Sequence, residues 1–238
     1  MRCLSDSGIG YDTGYARVPL VCQSDIYDLC YGSPTARPNA DMGYRACQNA
    51  LTRTDDAAGN VGCGTGATVG KLYGIERADK SGFGWHAVRL GKLTIAAVVC
   101  VNALGDIYSS KSGEKIAGLR SADRTGYADT VESFCQTQPD NLFTGNTTIG
   151  AIITNASFDK AQLCKIANMA AQGYARCIRP VGTMADGDTI YAAGTGGIKA
   201  DINLVGMLSA EVMAAAIGNA IETSRISEEE FMANIVRL

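Results

Sequence analysis

Two short stretches of the chain are apolar at nearly every position. Residues 93–101 and residues 148–154 (TIGAIIT) are rich in β-branched side chains. A half-exposed strand would alternate apolar and polar residues, so these continuous apolar runs predict strands that are buried on both faces. A further strand is predicted within residues 181–193 (VGTMADGDTIYAA), as part of a hairpin-like pair that an Asp-Gly-Asp step at residues 186–188 interrupts.

Helical spacing of apolar residues occurs in three places. Residues 42–51 predict a short helix. Ser157 is expected to cap a helix that ends near residue 172, with Gly173 as its stop signal. Ser209 is expected to cap a last helix, SAEVMAAAIGNAIETS. The residues expected to face inward are Leu163, Ile166, Ala167 and Ala170 in the first long helix and Leu208, Val212 and Ile217 in the last.

The order of these elements predicts a fold class. Buried strands followed by one-sided helices are typical of two stacked sheets with helices outside, an α+β layered sandwich. Residues 109–146 are polar and irregular, and so long a connection within a compact domain is usually functional or disordered. The first sixty residues hold three of the five prolines, so loops and short elements are predicted there. For 238 residues a single domain is the default.

Composition and charge restrict the classes of partner. The chain is 46% hydrophobic and 19% charged, and its net charge of −3 provides no basic field for nucleic acid or an anionic membrane surface. The longest apolar run has nine residues, well short of the roughly 20 that span a bilayer, so no transmembrane segment is predicted. The N-terminus, MRCLSDSGIGYD, has no apolar signal-peptide core, and a cytoplasmic location is expected.

The cysteines and glycines do not match the common metal and nucleotide motifs. Nine cysteines without C-x-x-C spacing predict reduced thiols that pack as small apolar side chains. The glycine-rich run GNVGCGTGATVGKLYG departs twice from the phosphate-binding loop, at Thr65 and Leu72. Its Gly62-x-Gly64-x-x-Ala67 spacing fits a dinucleotide fingerprint, but no hydrophobic strand precedes it.

One histidine is present, so any hydrolase built on imidazole must use His86. This residue follows the only tryptophan, Trp85, in an alternating segment, where a strand residue with a satisfied side chain is the simpler interpretation. The same scarcity argues against a histidine-rich zinc site, and a metal ion would have to be held by oxygen atoms.

A different hydroxyl nucleophile lies where the long polar connection meets the second buried strand, in the sequence Gly145-Asn146-Thr147-Thr148. A threonine without a histidine needs another base, and its own α-amine, freed by cleavage of the preceding bond, is one known solution. The reference pKa of such an amine, about 7.7–8.0, suits a base near neutral pH. From spacing alone, two threonines that merely begin a strand are the favoured interpretation.

Four segments carry a resemblance to a known family. They are GNVGCGTGATVGKLYG, VVCVNALGDI, GNTTIGAIITNA and RPVGTMADGDTIYA, in this order, and the similarity extends from about Gly8 to the last helix. Together they resemble the DmpA-type peptidase family, which contains L-aminopeptidase/D-Ala-esterases, β-peptidyl aminopeptidases and 6-aminohexanoate-oligomer hydrolases. The resemblance implies the layered αββα sandwich that this family shares with ornithine acetyltransferases.

The resemblance also implies self-cleavage immediately before the nucleophile. The matching bond is Asn146–Thr147, which would divide one hydrolase domain, residues 1–238, into an α fragment of residues 1–146 and a β fragment of residues 147–238. Thr147 would be the nucleophile through its hydroxyl and the base through its new amine. Family members normally begin with a further N-terminal segment, so the domain is expected to be truncated.

Other site residues are implied by the matching positions. Asn102 matches an asparagine that stabilises the oxyanion, and Lys71 matches a lysine that lowers the pKa of the amine. Asp186 and Asp188 match an acidic pair that orients the amine and the hydroxyl, and Tyr27 corresponds to a site tyrosine. The simpler alternatives are a capping side chain at a strand end for the asparagine, a surface lysine, and an exposed Asp-Gly-Asp turn.

The function implied is a self-processing N-terminal-nucleophile hydrolase of peptide or ω-amino-acid amide bonds. It would need no cofactor, and a homo-oligomer is expected, with no nucleic-acid or membrane partner. Two alternatives stay open: an acyltransferase of the ornithine acetyltransferase type, and a truncated inactive remnant that acts only as an interaction module.

Overall fold

The computed structural model describes residues 1–52, 56–138 and 145–237. The chain falls into two compact units. The first comprises Met1–Asp25 and Pro34–Ala57, and the second comprises Ile26–Ser33 and Ala58–Leu238. The prediction of one hydrolase domain that cleavage divides after residue 146 stays a prediction.

The first unit is small and mostly exposed. It contains helix α1 (Arg2–Asp6), an antiparallel pair of short strands, β1 (Tyr11–Asp12) and β2 (Arg17–Val18), and helix α2 (Ala40–Thr52). The two helices are joined where the Tyr44 hydroxyl donates a hydrogen bond to Asp6 at 3.1 Å. The short helix predicted over residues 42–51 is therefore confirmed and is slightly longer at both ends.

The second unit holds the main sheet and the longer helices. Its strands are β3 (Thr68–Val69), β4 (Asp79–Lys80), β5 (Phe83–Leu90), β6 (Leu93–Asn102), β7 (Asp106–Tyr108), β8 (Lys115–Ala117), β9 (Thr147–Ala156), β10 (Ile178–Arg179) and β11 (Thr189–Ile198). Its helices are α3 (Thr130–Thr137), α4 (Lys160–Cys177), α5 (Ile202–Ser224) and α6 (Glu228–Asn234). Short 3₁₀ turns lie at Gly62–Gly64 and Ile75–Arg77.

In the described part of the chain the largest sheet has four strands in the order β11-β9-β6-β5. The two predicted apolar strands are confirmed as its central members, β6 and β9, which pair antiparallel. The predicted hairpin-like pair over residues 181–193 is wrong, because β11 runs parallel to β9. Parallel neighbours need a crossover connection, and helix α4 lies in that connection.

The helices are confirmed, but two of them begin at other residues than predicted. Helix α4 begins after Asp159 instead of Ser157, because Asp159 and Gln162 form a reciprocal capping box. Helix α5 begins after Asp201, whose carboxylate accepts bonds from two backbone N–H groups. Ser209 lies inside α5, and its hydroxyl donates to the Val205 carbonyl at 2.7 Å.

The core lies between the sheet and the layer formed by α4 and α5. Alternate residues of β6 face these helices and are fully buried, and so are the predicted inward residues of both helices, apart from three that are partly buried. The buried β6 residues are Ile95, Ala97, Val99 and Val101, the buried helix residues are Ile166, Ala170, Val212 and Ile217, and the partly buried residues are Leu163, Ala167 and Leu208. The layered α+β class is therefore confirmed.

Burial of the sheet is nonetheless one-sided among the described residues. On the face away from α4 and α5, Val98 and Ala151 are half-buried, and Ile153 is 41% exposed. Helix α5 is long and apolar enough to cross a membrane, with a mean hydropathy of 1.6 in its most apolar window. Because 61% of that window is buried inside the fold, its composition fits a core helix equally well.

The polar connection of residues 109–146 contains more regular structure than the sequence indicates. It includes β8 and α3, and the buried carboxylate of Asp106 organises it. This carboxylate accepts hydrogen bonds from the Leu119 N–H at 2.8 Å, from the Thr130 N–H and hydroxyl at 2.8 and 2.7 Å, and from the Lys115 amine at 2.7 Å. Residues 139–144 of the connection lie outside the described residues.

Gly173 was predicted to stop α4 but lies inside it, where α5 passes closely. A Cβ atom at Gly173 would lie 2.7 Å from the Ala210 carbonyl oxygen and 2.8 Å from Met213 Cβ, whereas a Cβ at Gly218, inside α5, meets nothing within 4 Å. We expect Gly173→Ala to lower the free energy of unfolding by about 1–3 kcal/mol through overpacking. Gly218→Ala should raise it by about 0.5–1 kcal/mol, because alanine is the better helix former. Urea denaturation of both variants measures the change in the free energy of unfolding. Equal changes in the two variants would contradict the close packing of α4 and α5.

Candidate active site

The predicted nucleophile and the predicted oxyanion residue lie opposite each other on the two central strands. Asn102 is the last residue of β6, Thr147 is the first residue of β9, and the antiparallel register pairs them directly. Directly paired residues in such a ladder have Cβ atoms about 5 Å apart. The sheet therefore brings together two residues that are 45 positions apart in the chain.

Asn102 is fully buried, and its side chain is saturated with hydrogen bonds. Its amide oxygen accepts from the Lys71 amine at 2.7 Å and from the Thr68 N–H at 3.2 Å. Its amide nitrogen donates to the carbonyls of Tyr27 at 3.1 Å and Gly145 at 3.3 Å. The side chain is therefore a fixed bridge between four segments, which goes well beyond a cap at a strand end.

Lys71 is buried at this site, which excludes the alternative of a surface lysine. Its amine also donates to the Asn102 carbonyl at 3.0 Å. Burial lowers its pKa from 10.5 to about 8, and nearby carboxyl and thiol groups oppose that shift only in part. The amine therefore carries a positive charge at neutral pH but loses it within the mildly alkaline range.

The glycine-rich loop brings Lys71 to Asn102. Gly70 has a φ of +70°, and a Cβ atom there would lie 2.1 Å from backbone atoms of Gly118 and Leu119. Glycine is required at such a position for both reasons. The Gly70 N–H then donates to the Gly105 carbonyl at 3.1 Å, which holds the loop against the end of β6.

The peptide bond between Asn146 and Thr147 is held by two hydrogen-bond donors. The Thr147 hydroxyl donates to the Asn146 carbonyl oxygen at 2.5 Å, and the Gly187 N–H donates to the same oxygen at 2.8 Å. The Asn146 side-chain amide donates to the Ala185 carbonyl at 3.2 Å. The Thr147 hydroxyl oxygen thus lies against the carbonyl group of the bond that the family resemblance predicts to be cut.

The two predicted acidic residues flank Gly187 and hold neighbouring backbone. Asp186 accepts from the Leu104 N–H at 3.1 Å and from the Thr183 hydroxyl at 2.6 Å. Asp188 accepts from the Thr148 N–H at 2.6 Å and from the Gly182 N–H at 3.0 Å. Burial, assisted by the charge of Asp186, raises the pKa of Asp188 above its usual value. The Asp188 carboxylate therefore fixes the backbone directly after Thr147, and the Asp186 carboxylate joins its own turn to the segment that follows β6.

Tyr27 reaches the site through its backbone carbonyl, which accepts from Asn102, while the residue itself is 48% exposed. His86 lies elsewhere, on the edge strand β5, where it is exposed and pairs with Ala97. Among the described residues, no group of three or more His, Cys, Asp or Glu side chains is arranged to hold a metal ion.

Two charged residues that the sequence analysis missed lie beside these groups. Lys80 is buried, and its amine donates to the carbonyls of Gly64 at 2.9 Å, Ala67 at 3.1 Å and Ser81, so that it ties the glycine-rich loop together. Its pKa is lowered to about 8 by burial. Asp28 is half-buried, which raises its pKa, and the charges of Lys71 and Lys80 oppose that shift. The sequence could have identified Asp28, because it directly follows Tyr27, a predicted site residue.

Comparisons with known proteins show the family to which the chain belongs. A model of "Peptidase family S58" matches residues 12–229, a range that includes all four motifs quoted above. An uncharacterized aminopeptidase of Mycobacterium leprae is 36% identical over 193 residues, which are 77% of this chain and 51% of that protein. A 6-aminohexanoate-oligomer endohydrolase of Agromyces is 30% identical over 224 residues, which are 87% of this chain and 62% of that protein.

A solved structure shows the fold of this group. The L-aminopeptidase D-Ala-esterase/amidase of Ochrobactrum anthropi, described as a variant of the Ntn hydrolase fold, is 18% identical. It superposes with a TM-score of 0.52 over 84% of this chain and 56% of its own. The present chain spans little more than half the length of the mycobacterial relatives it matches, 51–57%.

Removal of the Asn102 side chain would leave the buried Lys71 amine and the Thr68 N–H without their main partner. We expect Asn102→Ala to lower the free energy of unfolding by about 3 kcal/mol. Asn155→Ala is the matched control, since Asn155 also makes two backbone hydrogen bonds, to Thr94 and Lys92, at the other end of β9. It should cost about 1 kcal/mol. Urea denaturation in a Thr147→Ala background measures both, and equal losses would contradict a central role of Asn102.

Proposed function

Because the chain belongs to peptidase family S58, we propose that it is a self-processing hydrolase of peptide or ω-amino-acid amide bonds with Thr147 as its nucleophile. One observation carries the proposal: the Thr147 hydroxyl lies 2.5 Å from the carbonyl oxygen of the preceding residue, and the Gly187 N–H also binds that oxygen. The substrate class rests on the names of the aminopeptidase and oligomer-endohydrolase relatives.

Self-cleavage would begin with attack of Thr147 Oγ1 on the carbonyl carbon of Asn146. The negative charge that develops on the carbonyl oxygen is stabilised by the Gly187 N–H, which already points at this atom. When the C–N bond breaks, the nitrogen takes the proton that the Thr147 hydroxyl gave up, and the acyl group stays on Oγ1 as an ester. Water then hydrolyses the ester, which leaves a carboxylate on Asn146 and a free α-amine on Thr147.

Turnover would use the same oxygen with the new amine as its base. The amine accepts the hydroxyl proton while Oγ1 attacks the substrate carbonyl, and the proton passes to the leaving amine. Water releases the acyl group in the second half of the reaction. Every proton transfer in this scheme is carried out by Thr147 and water.

Asn102 would acquire its catalytic role through the cut. In the uncut chain its amide nitrogen donates to the Gly145 carbonyl, just before the bond that breaks. Once the segment that ends at residue 146 is free to leave, this N–H can donate to a substrate oxyanion instead. The contact between Asn102 and the Lys71 amine, at 2.7 Å, holds the amide group in position for that role.

The positive charge of Lys71 would lower the pKa of the Thr147 α-amine, which is the proposed base. A cation near an amine disfavours the protonated form of the amine and so lowers its pKa. Asp188, through its bond to the Thr148 N–H, keeps the new N-terminus in register with β6. These two effects would hold the α-amine unprotonated and close to its own hydroxyl.

Processing is tested by the denatured mass of purified protein. We expect wild-type chain to give two fragments that divide between residues 146 and 147, because the scissile carbonyl is held against its nucleophile. Thr147→Ala should give one uncut chain. Thr147→Ser, which retains a hydroxyl, should still be cut.

The matched control is Thr148→Ala, which removes the neighbouring hydroxyl and leaves Thr147 intact. This variant should be processed. A wild-type chain that stays intact on prolonged incubation, or cleavage of Thr147→Ala at the same bond, would contradict the proposed nucleophile. The first outcome would favour the inactive remnant.

Lys71→Met should move the acidic limb of the pH profile of kcat/KM to higher pH by about one unit. The lysine is charged below its pKa of about 8, so its removal raises the pKa of the Thr147 amine, and more alkaline conditions are needed to free the base. Processed protein is assayed with an aminoacyl anilide and with a linear 6-aminohexanoate oligomer.

Lys92→Met, a change at an exposed lysine, serves as the control and should leave the limb in place. If Lys71→Met lowers the maximum of kcat/KM but leaves the acidic limb at the same pH, the lysine has a purely structural role. Turnover that depends on an added amine acceptor would favour the acyltransferase alternative.

A further inference from the structure

A pair of thiols lies beside the site and takes no part in the proposed reaction. Cys63 is exposed, in the 3₁₀ turn Gly62–Gly64, and Cys100 is buried on β6. The Cys100 sulfur lies 3.2 Å from the Cys63 carbonyl oxygen, and the two thiol groups are within hydrogen-bonding reach of each other. The pair joins the glycine-rich loop to the strand that ends at Asn102.

The fold holds the two thiols together. Gly64, directly after Cys63, packs so closely that a Cβ atom there would lie 2.2 Å from the Gly59 carbonyl oxygen and 2.3 Å from the Phe83 nitrogen. The Lys80 amine donates to the Gly64 carbonyl at 2.9 Å. Because the turn and the strand are both anchored, Cys63 and Cys100 are held next to each other.

The two thiols differ in exposure and in pKa. Acceptance of a hydrogen bond from Cys100 lowers the pKa of Cys63, and the same bond, together with burial, raises the pKa of Cys100. The accessible thiol is therefore the one that forms a thiolate more readily. The buried Cys100 thiol stays protonated and lies next to Cys63.

We propose that Cys63 and Cys100 form an oxidisable dithiol that a peroxide converts into a disulfide. The Cys63 thiolate attacks one oxygen of hydrogen peroxide, the O–O bond breaks, and hydroxide leaves, which gives a sulfenic acid. The Cys100 sulfur then attacks the sulfenic sulfur, the S–S bond forms, and the hydroxyl leaves as water with the thiol proton. In total two thiols lose two electrons and two protons, and one peroxide becomes two waters.

The bond would cross-link two parts of the site. The Cys63 turn begins the loop that carries Lys71, and Cys100 shares its face of β6 with Asn102. Oxidation would therefore tie the lysine-bearing loop to the asparagine-bearing strand. The inference goes beyond the proposed hydrolase function, and its readout is the state of the thiols, which does not depend on processing or turnover.

The experiment treats the reduced, folded chain with hydrogen peroxide, blocks the remaining thiols and maps non-reduced peptides by mass spectrometry. We expect a linked peptide that contains Cys63 and Cys100, has lost two hydrogen atoms and is restored by dithiothreitol. Cys63→Ser should abolish this peptide. The same changes at two exposed cysteines, Cys135→Ser and Cys164→Ser, should leave it unaffected.

A second pair of thiols, Cys3 and Cys47 in the first unit, also lies within hydrogen-bonding reach. The same peptide map distinguishes a cross-link in that pair from one between Cys63 and Cys100. The linked peptide should also form in the uncut Thr147→Ala chain, so that a failure of the proposed function leaves this test intact. Oxidation of Cys63 to sulfinic acid without a cross-link would overturn the proposal. So would preferential pairing of Cys63 with another cysteine, or equal cross-linking in urea-unfolded chain.

Discussion

The antiparallel register of β6 with β9 is the constraint on which the rest of the site depends, because it pairs Asn102 with Thr147. Side chains alternate between the two faces of a strand, so a slip of one residue would turn Asn102 toward the helices. The buried apolar residues of β6, packed on α5, prevent that slip. The core therefore sets the positions of Asn102 and Thr147, the predicted catalytic residues.

Two buried amines make the site costly to form. Lys71 and Lys80 both have pKa values lowered to about 8 by burial, and both are surrounded by carbonyl oxygens. Hydrogen bonds to those oxygens compensate only part of the loss of hydration. Such a cost is typical of functional sites, where a group is kept at a pKa that its exposed counterpart would not have. The half-buried carboxylate of Asp28 interacts with both amines, and its charge partly offsets the lowering of their pKa values by burial.

Sequence reasoning was most reliable where a signal is local or shared with a family. Continuous apolar runs identified β6 and β9, and four ordered motifs identified the family. Two predictions were wrong where tertiary structure decides the outcome. Gly173 lies inside α4, because α5 packs closely against it. Strand β11 pairs parallel to β9, because the chain forms helix α4 between the two strands. The roles of Lys80 and Asp28 depend on contacts between distant segments, which spacing does not encode. Self-cleavage, oligomeric state and cellular location stay predictions.

The Asn146 carbonyl oxygen, which accepts two hydrogen bonds, would influence the direction of the proposed self-cleavage. This oxygen belongs to a neutral amide and accepts from the N–H of Gly187, the residue between Asp186 and Asp188 in the chain. The proposed cut would turn this amide oxygen into part of a carboxylate, so that a new negative charge would arise in a turn that already contains two acidic residues. Like charges in a poorly hydrated pocket repel strongly. If the proposed cleavage takes place, this repulsion would drive the new chain end out of the pocket, which would make the reverse ligation unfavourable and leave room for an incoming acyl group.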